Sequence, residues 1–296
     1  MGRFHSGEVY IQQQFAMAES MATVGEKVIR DFMPGQHRDF FASLPFVLVG
    51  SVDQELQPVA SILTGVPGFI STPDEKSMRI GAQPLLFDPL GENLQLNSPL
   101  AILGIQPHTK RRNRMNGWVI EKSDKDFLLE VQQSFGNCPK YIVERELIYS
   151  ADDSEMRMHE ATRLSLVQMN LIAAADTFFI ASSHPHALNP QSPDQSVDIS
   201  HRGGLPGFIH VTETTLRFPD FQGNYFFNSL GNLHLNPKAG LLFFDFHQKN
   251  MLQLEVTIEW KMAGALEKNQ GIQAWCDCKL LRSRFYPEAL SLAVVK

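Results

Sequence analysis

The residues best equipped for chemistry lie in one short stretch, Ser200-His201-Arg202-Gly203-Gly204. A guanidinium offers a planar fork of donors, and glycines let backbone N–H groups come close, so Arg202 with Gly203 and Gly204 suits an anion. Further along, Gly223–Asn232 brings Asn228, Ser229 and Asn232 together with Tyr225, Phe226 and Phe227. Amide and hydroxyl donors beside aromatic surface are what a flat heteroaromatic ring with a phosphate tail needs. An ordinary polar turn between strands would use the same residues. A second cluster, Lys110-Arg111-Arg112-Asn113-Arg114, puts four cations into five positions of an acidic chain. Lys110 and Arg111 read as the solvated edge of a hairpin, where cations deter edge-to-edge pairing. Arg112 and Arg114 read as a further contact to phosphate or nucleotide.

Other chemistry-bearing residues carry less. His184 and His186 sit in a Pro-, Ser- and Asn-rich stretch with no carboxylate or Cys at ligand spacing, so no metal site is expected. Cys138, in FGNCPKYI, reads as a turn cysteine; Cys276 and Cys278 would share one face of a strand as buried free thiols. The chain has no Walker-type loop, no GxGxxG opening a helix and no GxSxG elbow.

An internal repeat organises the elements that must hold these residues. Gly65-Val66-Pro67-Gly68-Phe69-Ile70 returns as Gly204-Leu205-Pro206-Gly207-Phe208-Ile209, and the same offset maps Asn93-Leu94-Gln95-Leu96-Asn97 onto Asn232-Leu233-His234-Leu235-Asn236. The period is too long for a solenoid and implies a duplicated domain, residues 1–150 and 151–296. Phe46–Ser51, Phe178–Ser182, Gly240–Phe246 and the alternating Leu252–Trp260 read as strands. Ser123–Ser134, with a Ser cap and acids in its first turn, and Ser154–Ala175 read as helices; His184–Ser196 reads as a loop. The fold class is therefore mainly β with helices, α+β.

The two copies differ where function is suspected. Ser61-Ile62-Leu63-Thr64-Gly65 faces Ser200-His201-Arg202-Gly203-Gly204, so two aliphatics have become His and Arg and one Gly has been added. A core position does not gain a guanidinium without a partner, because an unpaired buried charge is costly. The net charge of −6 argues against a nucleic-acid binder. No run approaches a membrane span and the N-terminus lacks an apolar signal core, so a cytoplasmic protein without a membrane partner is expected.

At these motifs the chain resembles the pyridoxamine 5′-phosphate oxidase-related, FMN-binding split-barrel proteins, in their long two-barrel branch. The matching pieces are FHSGE at Phe4–Glu8, GVPGFI at Gly65–Ile70, RRNRMNG at Arg111–Gly117, FGNCPKYI at Phe135–Ile142, DISHRGGLPGFI at Asp198–Ile209 and the stretch Pro219–Phe246. The resemblance implies two tandem split β-barrels forming an intrachain pseudo-dimer, with flavin mononucleotide (FMN) as cofactor. By motif it carries over Ser200, His201, Arg202, Gly203, Gly204, Asn228, Ser229 and Asn232 as cofactor-binding residues, and less directly Arg112 and Arg114. It implies an oxidoreductase acting on a small molecule, or alternatively a flavin carrier, sensor or redox-partner module, as a monomer or homodimer. The C-terminal substrate signature of the true oxidases is missing, so vitamin B6 oxidation is not implied, and fold and cofactor do not fix the reaction.

Overall fold

The computed structural model describes residues 2–151, 155–192 and 196–295. Three helices open the chain, α1 (Ser6–Gln14), α2 (Ala18–Val28) and α3 (Gly35–Ala42). There follow β1 (Phe46–Val52), β2 (Pro58–Thr64), β3 (Ile70–Ser71), β4 (Ser77–Ile80), α4 (Leu90–Asn93), β5 (Pro99–Gln106), β6 (Arg111–Lys122) and β7 (Phe127–Gly136). Short strands β8 (Leu147–Tyr149) and β9 (His159–Ala161) lead to α5 (Leu166–Ala174), β10 (Thr177–Ser183), β11 (Val197–Gly203), β12 (His210–Val211) and β13 (Thr215–Phe221). The chain ends with α6 (Asn228–Leu235), β14 (Lys238–Asp245), β15 (Asn250–Met262), α7 (Ala265–Asn269), β16 (Ile272–Tyr286) and β17 (Leu292–Val294).

Two antiparallel sheets dominate. The first runs β2-β1-β5-β6-β7-β4-β3 and the second β11-β10-β14-β15-β16-β13-β12, with β9 added on β16; β8 and β17 form a separate pair. Counted within each half, the strand order is the same. Strand bounds follow the repeat, Pro58–Thr64 against Val197–Gly203 and Pro99–Gln106 against Lys238–Asp245. Both Pro-Gly turns place their glycine at positive φ, Gly68 at 101° and Gly207 at 88°, a conformation that a side chain would oppose.

The apolar runs are continuous because the central strands are buried on both faces. On β1, Val47 and Val49 enter the core of the first half, whereas Phe46 and Leu48 enter a second core shared between the sheets. On β10, Phe178 and Ile180 face the core of the second half, whereas Phe179 and Ala181 face the shared one. The period-two alternation of a strand thus divides each run between two cores. Within the shared layer the backbones come close: a Cβ on Gly240 would lie 2.6 Å from the Pro58 carbonyl oxygen.

Two expected helices are corrected. Residues 123–134 form a turn and the strand β7, not a helix. Ser123 Oγ accepts from the Lys125 and Asp126 backbone N–H groups, so the apparent N-cap closes a hairpin loop. Phe127, Leu129 and Val131 then point into the first core at strand spacing. In the second segment, residue 154 lies outside the described residues, His159–Ala161 is a strand, and the helix starts at Leu166 behind a capping box made by Ser165 and Gln168. Of the expected loop His184–Ser196, residues 193–195 lie outside the described residues, and the described part contains no helix or strand. Cys276 and Cys278 are buried in the core of the second half. No helix among the described residues is long and apolar enough to cross a membrane.

Candidate functional site

Strand β6 of the first half lays its residues against β11 of the second. Arg112, Arg114 and Asn116 alternate with Asn113 and Met115 and so share one face of β6. That face meets Asp198. Arg114 Nη1 donates to Asp198 Oδ1 at 2.8 Å, and its Nη2 donates to the Ile199 carbonyl at 2.7 Å and to Ser200 Oγ at 2.5 Å. Asn116 Nδ2 donates to the same Asp198 oxygen at 3.0 Å, and Asn232 Nδ2 to its other oxygen at 3.0 Å. A buried guanidinium is tolerable here because a carboxylate balances its charge and a carbonyl and a hydroxyl accept from its Nη2, although its Nε has no partner among the described residues.

Beside this cluster lies a cavity that opens to solvent. Its lining includes Arg112, Arg114, Ser200, His201, Arg202, Gly203, Asn228 and Ser229, with Lys140, Tyr141, Asp220, Phe221 and Tyr225 among the rest. Eight of the expected site residues therefore come together on it, although Arg112 and Arg114 lie far from the others in sequence. Lys110 and Arg111 stay outside: Lys110 lies 3.7 Å from Glu144, and Arg111 sits over the Phe40 ring.

Gly204 and Asn232 do not line the cavity. The Gly204 N–H donates to the Asp176 carbonyl at 3.0 Å, as the Gly65 N–H donates to the Pro45 carbonyl at 3.0 Å in the first half. Asn232 Nδ2 donates to Ser182 Oγ at 3.2 Å, as Asn93 Nδ2 donates to Ser51 Oγ at 3.0 Å. Both residues thus make bonds that recur in the other half, where neither His201 nor Arg202 has a counterpart. The expectation that Gly203-Gly204 exposes two backbone donors is corrected for Gly204, whose N–H is engaged. Gly203 serves close approach instead, since a Cβ there would lie 2.3 Å from the Tyr141 carbonyl oxygen. Asn228, Ser229 and Asn232 stand on the helix α6, not on strands.

The charges at the cavity are unequally matched. Arg202 pairs with the buried Asp220 at 3.0 Å, and burial raises the Asp220 carboxyl despite that cation. Arg114 is matched by Asp198. Arg112 has no carboxylate partner among the described residues; burial, then Arg114 and Arg202, push its guanidinium down to about 10. His201 is buried, and burial with Arg112, Arg202 and Arg145 nearby holds its imidazole well below the ordinary range, so it is neutral at pH 7. Twelve buried side-chain nitrogen and oxygen atoms lack a hydrogen-bond partner among the described residues, and those of Arg112, Arg114, Asn137, His201, Arg202 and Ser229 belong to the lining of this one cavity.

Several contributors were not singled out from the sequence. Asp198 and Asp220 lie inside quoted motifs, and Glu8 in FHSGE, but nothing local tells which cation each one meets. Glu8, on α1, accepts from Asn228 Nδ2 and, at 2.9 Å, from the His5 backbone N–H. Burial and then Asp198 raise its carboxyl well above the usual range, against the hydrogen bonds from His5 and Asn228 and the charge of Arg114. The helix carrying it packs backbone to backbone on α6: a Cβ on Gly7 would lie 2.2 Å from the Gly231 carbonyl oxygen.

No family model matches this chain, and no curated protein matches it. Solved structures that match include HupZ of Group A Streptococcus, at 12% identity and TM-score 0.30, covering 40% of this chain and 92% of that one. A candidate pyridoxamine 5′-phosphate oxidase from Lactobacillus delbrueckii matches at 13% identity and TM-score 0.31, over 42% of this chain and 94% of its own. An FAD-binding protein from Mesorhizobium loti matches at 10% identity and TM-score 0.27, over 44% and 97%. At TM-scores this low the likenesses carry no functional argument, and the reading below rests on the cavity.

Proposed function

We propose that the chain is a flavoprotein that holds FMN in this cavity and acts as an oxidoreductase on a small molecule. The observation that carries the reading is the gathering of unsatisfied polar atoms there, with Arg112 as a guanidinium that lacks a counter-ion. Buried polar groups without partners are rare, and a cluster of them at one cavity fits a ligand rich in acceptors. A phosphate against Arg112 would supply the missing charge and bidentate geometry. Lys140, exposed on the same lining, adds to the positive field at that cavity. Tyr141, Phe221 and Tyr225 offer aromatic surface for a ring, and Asn228 and Ser229 offer polar groups for its edge.

When bound, the flavin supplies the electron transfer, and the chain's residues bind and orient it. Neutral His201 offers hydrogen bonding without charge, whereas Arg202, held by Asp220, is a fixed cation. In this reading residues 1–150 and 151–296 are two split barrels acting as an intrachain pseudo-dimer, in a cytoplasmic monomer or homodimer. The matching strand orders support that arrangement. The test is the absorption spectrum of the protein as purified, followed by release and mass measurement of whatever is bound. A flavin spectrum and the mass of FMN are expected. A colourless protein that also takes up no added FMN contradicts the proposal. Turnover with a small-molecule reductant or oxidant separates an oxidoreductase from a flavin carrier.

A further inference from the structure

A second, apolar cavity system lies on the seam between the two sheets. Its outer part, about 270 Å³, is lined by Leu44, Phe46, Val66, Pro67, Leu147 and Ile148, with Ser43, Gln106, His108 and Glu146 among the rest. Its inner part is a narrow crevice with room for about one water-sized group; it shares Phe46, Ile105, Pro107 and Leu147 with the outer one and continues to Ile142, Phe179, Phe244 and His201. Strand β8 supplies Leu147 to both parts. Among the described residues three polar side chains line the inner part: Arg145, which bonds Asp176 at 2.5 Å, Thr177, and His201. The His201 ring meets Phe179 edge-on at 5.8 Å, and its Nε2 is buried without a hydrogen-bond partner among the described residues. His201 also lines the polar cavity, so it stands where the two spaces adjoin.

We propose that this apolar space is a second ligand site, for an elongated hydrophobic small molecule with one hydrogen-bonding group at its inner end. The walls select an apolar body, because Leu44, Phe46, Val66, Pro67, Leu147 and Ile148 present hydrocarbon and aromatic surface where the space is widest. His201 Nε2, the one atom of the inner lining that lacks a hydrogen-bond partner among the described residues and that stands where both spaces adjoin, selects the polar end, since burial without a partner disfavours that nitrogen until a ligand meets it. The outer rim is open, with the apolar Val66 66% and Ile148 45% exposed beside the polar Gln106, His108 and Glu146, which gives such a molecule its way in. The site stands without the flavin reading. If that reading holds, the same site names the substrate class, because its inner end reaches the residue shared with the polar cavity.

The probe is 4-hydroxybenzophenone, a two-ring apolar molecule with a terminal hydroxyl that crosslinks on illumination. Titrated into the purified full chain, it is expected to bind saturably at one equivalent. Illumination is expected to label peptides containing residues 43–46, 105–108 or 142–149. A Leu147→Trp change, which fills the junction of the two parts, is expected to weaken binding at least tenfold in a chain that still melts cooperatively. Absence of saturable binding, or labelling confined to other peptides, overturns the proposal, and the peptide map decides on the unaltered chain should the Trp variant not fold. Undiminished binding in a folded Leu147→Trp chain overturns it as well. FMN titrated into the same samples keeps the two claims apart: probe binding without FMN binding removes the flavin reading alone, and the reverse removes the apolar site alone.

Discussion

At the scale of single residues, Arg112 of the basic cluster and Arg202 of the second copy have different roles. Arg112 lacks a carboxylate partner among the described residues, and the position matching it in the second half is Met251, buried in the shared core. Arg112→Met is therefore expected to leave the fold at least as stable, because it removes an uncompensated charge. It is expected to cost FMN about 1.5–3 kcal/mol of affinity, the usual worth of a hydrogen bond to a charged group, or roughly a tenfold to hundredfold higher Kd. Paired thermal melts and FMN titrations check both halves of that statement. Arg202 behaves otherwise, since its removal leaves the buried Asp220 alone. Arg202→Leu is expected to lose about 2–4 kcal/mol of stability at pH 7, and Arg202→Leu with Asp220→Asn to regain most of it. The Asp220 carboxyl already titrates above its ordinary range in the fold, and losing Arg202 raises it further. The folded chain then keeps a proton that the unfolded chain releases at about pH 4, so the deficit grows as pH rises above about 4 and shrinks below it. Urea melts across pH check the slope. From sequence, Arg202 stands out because its counterpart is Leu63, but the comparison cannot supply Asp220: that pairing crosses from β11 to β13 through the fold.

At the scale of elements, strands were legible where burial on both faces or strict alternation wrote them into the sequence, as in Phe46–Val52 and Asn250–Met262. The strand β7 was not, because its Ser123 turn imitates a helix cap and Phe127-Leu128-Leu129 satisfies either period over so short a run. The placement of α1 was not legible either. FHSGE shows a capping box, and only the fold shows that Gly7 and Gly231 bring two helix backbones together and set Glu8 against Asn228. Gly7→Ala is expected to push α1 off α6, at about 1–3 kcal/mol, as overpacking usually costs. Limited proteolysis should then cut first between residues 6 and 28, while the unaltered chain resists there. Early cleavage at the same place in both chains would show that this contact does not hold α1.

At the scale of the whole molecule, the halves meet by equivalent bonds across the seam. Arg114 from β6 reaches the Ile199 carbonyl and Ser200 Oγ, and Gln253 from β15 reaches the Ala60 carbonyl at 3.0 Å and Ser61 Oγ at 3.2 Å. Each of these residues lies one repeat from its counterpart. The surroundings then diverge. Where the first seam site has Arg112, His201 and Arg202, the second has Met251, Ile62 and Leu63, all buried in apolar cores. Tyr286 closes the second further, its hydroxyl lying 2.9 Å from the Phe87 carbonyl oxygen and 2.8 Å from Gln253 Oε1, with one proton to donate to either. The repeat in the sequence made the two halves visible, and the exchange of aliphatics for cations marked the half that differs. The seam itself was invisible, because it joins residues more than eighty positions apart that no local pattern links. An apolar site without a free cation does not hold a phosphate, so the chain is expected to bind FMN once. Equilibrium titration of FMN into apoprotein of known concentration tests this most directly: saturation at one equivalent per chain, lost on Arg112→Met, is expected, whereas two equivalents, or saturation that the Arg112→Met variant leaves unchanged, would contradict it.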